Sequence, residues 1–424
     1  MGLLVSMRRP SKAGGEDRLV SKDAGSSELL AKHSINDLNL AGKRVFIRVD
    51  FNVPITDGAI VDDTRIRASL PTLKYALSHG ATLVLASHLG RPKGQHLSAL
   101  SLAPVATRLS TLLERPVQFS SDCVGATARN AVTAAGTGGV VLLENLRFHA
   151  EEEKNDHEFS HEMADLADVY INDAFGAAHR AHASTVGIVS HISEAAAGLL
   201  MASELEHLSS LLDAPAHPVV AILGGVKISE KLDVLENLLA WVDTLLIGGA
   251  MAYTFFKARG FPTGRSIVEP DLVEAICRIE QVVEERGLRL ELPTDHIVTT
   301  HLEAGSQHEL LAVSDAAIGE RLGVDIGPVT LETYAACINE AGTVFWNGPM
   351  GVFEINKFAA GTLAIAQAVA KTPAISVIGG GDSIAAMAKT GMTDQITYVS
   401  TGGGASLEFL GGRTLPGLAV LPDQ

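Results

Sequence analysis

Positive charge is scarce in this sequence. Lys and Arg number 33 against 49 Asp and Glu, giving a formal net charge of −16 over 424 residues. Proteins that grip nucleic acid are usually basic, so that class is set aside, and binding to an anionic membrane surface is disfavoured for the same reason. Cysteine is scarce too. Cys123, Cys277 and Cys337 lie far apart, with no CxxC or CxxH among them. That excludes a disulfide framework and a zinc signature, and it suits a reducing compartment. No apolar run approaches the ~18 residues that a membrane helix needs. The nearest, Ala195–Ala202, is short and flanked by Glu194 and Glu204. A soluble, cytoplasmic protein is expected. Aromatic residues make up only 5% of the chain, so the core must be aliphatic.

Several catalytic signatures are also missing. There is no G-x-x-x-x-G-K-[ST], no G-x-G-x-x-G and no G-x-S-x-G. These absences exclude a P-loop enzyme, a dinucleotide fingerprint and a nucleophile elbow. His88, His179 and His182 do not match zincin spacing. No kinase-type catalytic loop with an aspartate base is evident. If phosphate moves here, the acceptor should need no deprotonation. A carboxylate, with a pKa near ~4, meets that condition and asks only for positioning and charge neutralisation.

Glycine is abundant, 41 residues in all. That is about 10% against a usual ~7%, and it raises the question of where backbone must approach something closely. After Leu40, short aliphatic runs alternate with longer helical patterns. The runs are Arg44–Val53, Thr82–Ala86, Val140–Leu143, Val169–Ile171, Val219–Leu223, Thr244–Ile247, Ile297–Thr299, Thr343–Trp346, Ala374–Ile378 and Thr397–Val399. Continuous apolar runs fit strands covered on both faces, as in parallel sheets. Leu70–Ser78 and Ile228–Leu239 read as helices between them. The alternation implies an α/β fold of two doubly wound, Rossmann-like parallel-sheet domains. Ser193–Leu212 reads as one helix, capped by Ser193 and stopped by Asp213-Ala214-Pro215. It supplies a helical hinge, with the domain boundary near residue 200. The expected layout is a flexible extension over 1–34, a first domain over 35–199 and a second over 200–406.

In open α/β sheets ligands bind beyond the carboxyl ends of strands. In the first half those ends carry Asp50-Phe51-Asn52, Ser87-His88-Leu89-Gly90-Arg91, Glu144-Asn145-Leu146-Arg147 and His179-Arg180, with Arg65 shortly after the first strand. Arginines gathered against an acidic background read as a site for a small polyanion, because guanidinium matches phosphate and carboxylate in a bidentate way. In the second half the ends are glycines: Gly224-Gly225-Val226-Lys227, Gly248-Gly249, Gly348-Pro349, Gly379-Gly380-Gly381-Asp382-Ser383 and Gly402-Gly403-Gly404. Such turns let backbone N–H groups cradle a nucleotide at a helix start. Ser383 is placed to meet a phosphate oxygen and Asp382 to hold Mg²⁺. Lys227 and Lys231, four apart, would share one face of a helix starting there and neutralise phosphate charge. Each feature has a plain alternative: scattered surface ion pairs, ordinary tight turns, a solvated helix face. Their recurrence at strand ends favours the ligand reading.

The first 34 residues lack a sustained hydrophobic period. Met1-Gly2-Leu3-Leu4-Val5-Ser6 fits a loose myristoylation pattern, and Met7 is an alternative start. Glu16, Asp17 and Asp23 argue against a transit peptide.

Taken together, Arg48-Val49-Asp50-Phe51-Asn52-Val53-Pro54, Ser87-His88-Leu89-Gly90-Arg91-Pro92, Glu144-Asn145-Leu146-Arg147-Phe148 and Ala178-His179-Arg180-Ala181-His182 closely resemble phosphoglycerate kinases. So do Gly323-Val324-Asp325-Ile326-Gly327-Pro328, Trp346-Asn347-Gly348-Pro349 and Ser400-Thr401-Gly402-Gly403-Gly404-Ala405-Ser406. The resemblance runs in order from about Ile35 to Pro416. It implies reversible transfer of the acyl phosphate of 1,3-bisphosphoglycerate to Mg-ADP, giving 3-phosphoglycerate and ATP. It implies that Asp50, Asn52, Arg65, His88, Arg91, Arg147 and Arg180 bind the phosphoglycerate. Lys227, Lys231, Gly323, Glu354, Gly380, Gly381, Asp382 and Ser383 would serve the nucleotide, with Asp382 the metal-associated residue. Arg65 and Lys227 would stabilise charge on the moving phosphoryl group, helped by backbone around Gly380 and Gly403. The family further implies a monomer whose domains close about the hinge, and a C-terminal segment, 407–424, that returns to the first domain.

Ala177, Ala250, Gly411 and Arg413 depart from the family's usual residues, though none is a matched ligand position. Two rivals are open at this stage. Another α/β ATP-dependent carboxylate or sugar kinase would share the glycine loops, but would need a general base for a hydroxyl acceptor. A catalytically silent relative should have lost Arg65, Lys227 or Asp382, and all three are present.

Overall fold

The computed structural model of the chain describes residues 32–424. The myristoylation-like start, Met7 and the acidic residues at 16, 17 and 23 lie outside the described residues. Two six-stranded sheets organise the rest. The first contains β1 (Arg44–Arg48), β2 (Thr82–Ala86), β3 (Gln118–Phe119), β4 (Val140–Leu142), β5 (Val169–Asn172) and β6 (Ala195–Ala197), in the order β3-β4-β2-β1-β5-β6. The second contains β7 (Val219–Leu223), β8 (Thr244–Ile247), β9 (Arg289–Glu291), β13 (Thr343–Asn347), β14 (Ile375–Gly379) and β15 (Tyr398–Val399), in the order β9-β8-β7-β13-β14-β15. Every pairing in both sheets is parallel. The expected class, two doubly wound α/β units, is the observed one.

The strands form where the sequence is continuously apolar. Val45, Phe46, Ile47, Leu83, Val84 and Leu85 are all fully buried, as are Ala221, Ile222, Leu223 and Phe345. Helices cover both sheet faces, so no face is left to polar residues. Burying one such aliphatic side chain contributes roughly 1.5–3 kcal/mol.

In each sheet the strand order reverses beside a central strand. The chain leaves β1 toward β2 and later resumes on the other side with β5. It leaves β7 toward β8 and resumes with β13. Crevices open at such switch points, outside the carboxyl ends.

Two expectations are corrected here. The run Ile297–Thr299 belongs to no parallel sheet. It lies in β10 (Asp295–Thr299), which pairs antiparallel with β11 (His308–Ala312) and β12 (Leu322–Ile326) in a separate three-stranded sheet. The span Ser193–Leu212 is not one helix. Ala195–Ala197 forms β6 against β5, and the helix α2 runs from Leu199 to Asp213; the helix α1 (Thr64–Ser78) packs against it. Alanine favours helix intrinsically, but an open edge beside β5 decides otherwise. Ser193 therefore caps nothing in α2. Gly198 is the cap residue, and Asp173 Oδ1 accepts the N–H groups of Leu200 and Met201 at 3.0 and 3.3 Å.

The tail of the chain contacts both halves. Arg413 pairs with Asp233, and Asn237 donates to the Gly411 carbonyl. Farther on, Gly417 N–H donates to Ala178 O at 2.8 Å and Asn172 Nδ2 donates to Gly417 O at 3.0 Å. His33 N–H donates to Pro422 O at 3.0 Å, and Lys32 Nζ reaches Leu421 O at 2.9 Å.

Candidate functional site

The carboxyl ends of the first sheet surround a cavity of about 210 Å³. Its lining includes Asp50, Asn52, Arg65, His88, Arg91, Arg147 and Arg180, together with His179 and Gly402 to Gly404. The strand β1 ends at Arg48, earlier than the apolar run suggests, because Asp50 Oδ1 accepts the Asn52 N–H at 3.2 Å and turns the chain out of the sheet. Asn52 Oδ1 in turn accepts the Gly90 N–H at 2.9 Å, and Arg147 Nη1 donates to Gly90 O at 2.8 Å. Three strand ends are thus tied into one rim. Arg65, from the first turn of α1, donates through Nη1 to Asp50 Oδ2 at 2.6 Å.

The electrostatics suit an anion. Burial, with Arg48 and Arg180 nearby, lowers the Arg147 guanidinium to about 10. Burial and then Arg48, Arg147 and Arg65 push His88 well below its ordinary value. Burial, Arg180 and His182 lower His179 to about 4. These groups repel one another and lack full solvation, so a bound polyanion would relieve both costs.

A second cavity, about 410 Å³, lies beyond the second sheet. Lys227, Lys231, Gly323, Glu354, Gly380, Gly381, Asp382 and Ser383 all line it. Here the expected Lys227–Lys231 helix face is corrected. The helix α3 begins only at Leu232 and ends at Leu238, with Lys231 as its cap residue, so the pair is not displayed on one helical face. The two lysines are held differently. Lys227 is exposed. Lys231 is half-buried and donates to Gly224 O at 2.6 Å, Asn347 O at 3.0 Å and Asn347 Oδ1 at 2.8 Å. Three acceptors match the three protons of an ammonium group. Lys231 therefore ties the turn after β7 to the end of β13, and burial lowers its pKa to about 8.

The helix start read from Gly380-Gly381-Asp382-Ser383 is present as α4 (Gly381–Thr390). Gly380 sits at φ +91°, a conformation that side chains disfavour. Ser383 is buried and accepts the Gly348 N–H on Oγ at 2.6 Å, leaving its own proton to donate. Asp382 stands exposed in the first turn. An exposed carboxylate at a glycine-rich helix start is the kind of donor that fits Mg²⁺, which takes one or two carboxylates and completes its shell with water and phosphate oxygens.

Gly380 and Gly403 do not come together. Gly380 lines the second cavity and Gly403 the first, and the two cavities share no lining residue. Sequence reasoning also passed over an apolar and aromatic wall of the second cavity, formed by Tyr253, Phe256, Pro293 and Val352. Tyr253 OH contacts His296 Nδ1 at 2.7 Å. No strand-end pattern marks that wall, since Tyr253 and Phe256 lie within a short helix, Ala252–Ala258. Among the described residues no helix is long and apolar enough to cross a membrane.

Comparison with known proteins gives a uniform answer. A family model described as phosphoglycerate kinase matches residues 35–413. A phosphoglycerate kinase of Solibacter usitatus is 54% identical over 393 residues, covering 92% of this chain and 98% of the relative. One from Chloroherpeton thalassium is 51% identical, covering 93% of this chain and 100% of the relative. Among solved structures, phosphoglycerate kinase from Coxiella burnetii has TM-score 0.80 at 43% identity, covering 92% of this chain and 98% of that one. The enzyme from Pyrococcus horikoshii has TM-score 0.81 at 36% identity, with the same coverage.

Proposed function

Because the chain belongs to the phosphoglycerate kinase family, we propose a division of labour between its two cavities. The reaction itself is the reversible transfer of the acyl phosphate of 1,3-bisphosphoglycerate to ADP, giving 3-phosphoglycerate and ATP, a step of glycolysis and gluconeogenesis. In the forward direction a β-phosphate oxygen of ADP attacks the acyl phosphorus and the carboxylate of 3-phosphoglycerate leaves. Both oxygens are ionised at neutral pH, so no general base is required. This accounts for the missing catalytic aspartate loop.

In our reading Asp50, Asn52, Arg65, His88, Arg91, Arg147 and Arg180 hold the phosphoglycerate. Lys227, Lys231, Gly323, Glu354, Gly380, Gly381, Asp382 and Ser383 serve the nucleotide. Asp382 holds Mg²⁺, which when bound neutralises charge on the nucleotide's phosphates. Arg65 and the exposed Lys227 approach the transferring group from opposite sides, assisted by backbone N–H groups near Gly380 and Gly403. The aromatic wall beside Tyr253 receives the base. The supporting observation is that each residue set lines its own cavity, with no lining residue in common. Closure about α2 must then join the halves, and it excludes the water that would hydrolyse an acyl phosphate. We take the first domain as 35–199 with 407–424, and the second as 200–406. A monomer in the cytoplasm is the working arrangement, since each chain carries both cavities.

The test is 3-phosphoglycerate-dependent consumption of Mg-ATP by purified protein, coupled to reductive removal of the acyl phosphate. Robust turnover that collapses in Arg65→Ala supports the reaction and the role. No turnover by folded, nucleotide-binding protein overturns it in favour of a silent relative.

A further inference from the structure

Behind the first cavity runs a buried chain of charged and polar groups. Glu152 and Arg48 are completely inaccessible, and Ser184 lies between them. Glu152 accepts the Ser184 N–H on Oε2 at 2.9 Å and the Ser184 hydroxyl on Oε1 at 2.6 Å. Arg48 Nε donates to Ser184 Oγ at 2.7 Å, and Nη1 donates to Val49 O at 2.5 Å. The remaining contact joins Arg48 Nη2 to His88 Nδ1 at 3.2 Å. His182 Nδ1 stands 3.6 Å from Glu152 Oε1 and completes the surroundings. His88 lines the cavity and Arg48 does not.

A guanidinium has five donors and no acceptor. A ring nitrogen facing Arg48 can therefore only accept, so Nδ1 must carry the lone pair. A second proton on Nδ1 would set imidazolium against guanidinium in a buried site, an arrangement that burial and the neighbouring Arg147 and Arg65 oppose further. The remaining ring proton belongs on Nε2. The Glu152 end explains why Arg48 does not swing away. Its charge is balanced by a buried carboxylate, and Ser184 relays that fixed position to the guanidinium.

We propose that Arg48 is a positioning residue which, anchored by Ser184 and Glu152, fixes His88 as the Nε2–H tautomer, so that His88 offers a neutral N–H to a phosphoglycerate oxygen. This rests on the assignment of the first cavity to phosphoglycerate. A neutral donor adds no positive charge to a cavity already crowded with arginine. It also keeps the site from changing character as pH moves through the ordinary histidine range.

The test begins without substrate. Ring-¹⁵N histidine correlation spectra of the wild-type protein, with His88→Gln to assign the signal, report which nitrogen carries the proton. The expected spectrum shows Nε2 protonated and Nδ1 bare, unchanged from about pH 6 to 8. A protonated Nδ1, or a cationic ring in that range, overturns the proposal whether or not any variant folds. Arg48→Lys keeps the charge but loses the fork that reaches Ser184 and His88 together. It should give mixed tautomers and raise KM for 3-phosphoglycerate about tenfold, the loss of roughly one hydrogen bond, with KM for ATP unmoved. An Arg48→Lys protein with unchanged tautomer and unchanged KM also overturns it. Calorimetric binding of 3-phosphoglycerate, lost in Arg91→Ala, tests the cavity's assignment separately.

Discussion

Asp50 holds Arg65 by a single 2.6 Å contact between Oδ2 and Nη1, with the aspartate side chain largely buried and the arginine a third exposed. The guanidinium is therefore aimed before any ligand arrives, while its other N–H groups have no hydrogen-bond partner among the described residues. Asp50→Asn should keep the shape and loosen the aim, lowering kcat about tenfold. Arg65→Ala removes the charge itself and should cost on the order of 10²–10³ in kcat. In kcat the double variant should be no worse than Arg65→Ala, because Asp50 acts on turnover through the Arg65 guanidinium, whatever it adds to substrate binding. Steady-state kinetics of the three proteins decide this, and additive losses would count against it.

At Gly380 in the second cavity a side chain is unwelcome on two counts. Its φ is +91°, and a Cβ there would stand 2.9 Å from Asn347 Nδ2. Gly380→Ala should weaken ADP binding about tenfold through strain of roughly 1–2 kcal/mol. Affinity for 3-phosphoglycerate should not change. Calorimetry with each ligand separates the two outcomes.

Glu204, on α2, reaches the residues that follow β15. It accepts the hydroxyls of Ser400 and Thr401 at 2.7 and 2.8 Å, and the Thr401 N–H at 2.6 Å. Glu204→Ala removes the acceptor shared by the half-buried Thr401 and the buried Ser400, whose hydroxyl keeps Ser406 as a partner, and should destabilise by roughly 1–3 kcal/mol. Denaturant unfolding measures the loss. Both KM values should remain near wild type under folding conditions, since Glu204 lines neither cavity.

Asp173 makes stability depend on pH in an unusual direction. Burial raises its carboxyl to about 7, against the hydrogen bonds from Thr72 and the Met201 and Leu200 N–H groups. Between the ordinary aspartate value and 7 the folded protein holds a proton that the unfolded chain releases. Its contribution is therefore full below about pH 4 and is lost as pH rises through 7, at up to about 1.4 kcal/mol per pH unit. Asp325, raised by burial to about 7, adds in the same sense. Asp173→Asn should flatten the slope of unfolding free energy between pH 5 and 7. An unchanged slope would refute the assignment to Asp173.

Much of this was legible in the residues themselves. Thr82–Ala86 and Val219–Leu223 are strands over their full expected lengths, because both are apolar on every face and bounded by polar or glycine-rich turns. The residues lining the two cavities were readable because parallel sheets place whatever follows a strand at one end. Ala195–Ala197 was not readable, since three alanines carry no strand signal and only pairing with β5 makes them one. Lys231 was seen as a phosphate ligand, yet its three backbone and amide acceptors come from turns that meet only in the fold. The Arg48–Ser184–Glu152 chain was likewise hidden. Its members are far apart in sequence, and buried charge has no periodic signature.

The crossing of the tail back to Asn172 and Ala178 has a temporal side. Asn172 waits for a partner 245 residues downstream, and the Ala197 N–H of β6 donates to His33 O, while the His33 N–H donates to Pro422 O. On a ribosome, the first half must emerge and stand while the whole second half is still being made. Its last hydrogen bonds close only as synthesis passes the final helix, Pro416–Ala419. Nascent chains stalled before that point should hold the first sheet in a looser, protease-sensitive form, and the second half should be the one to reach its finished packing first.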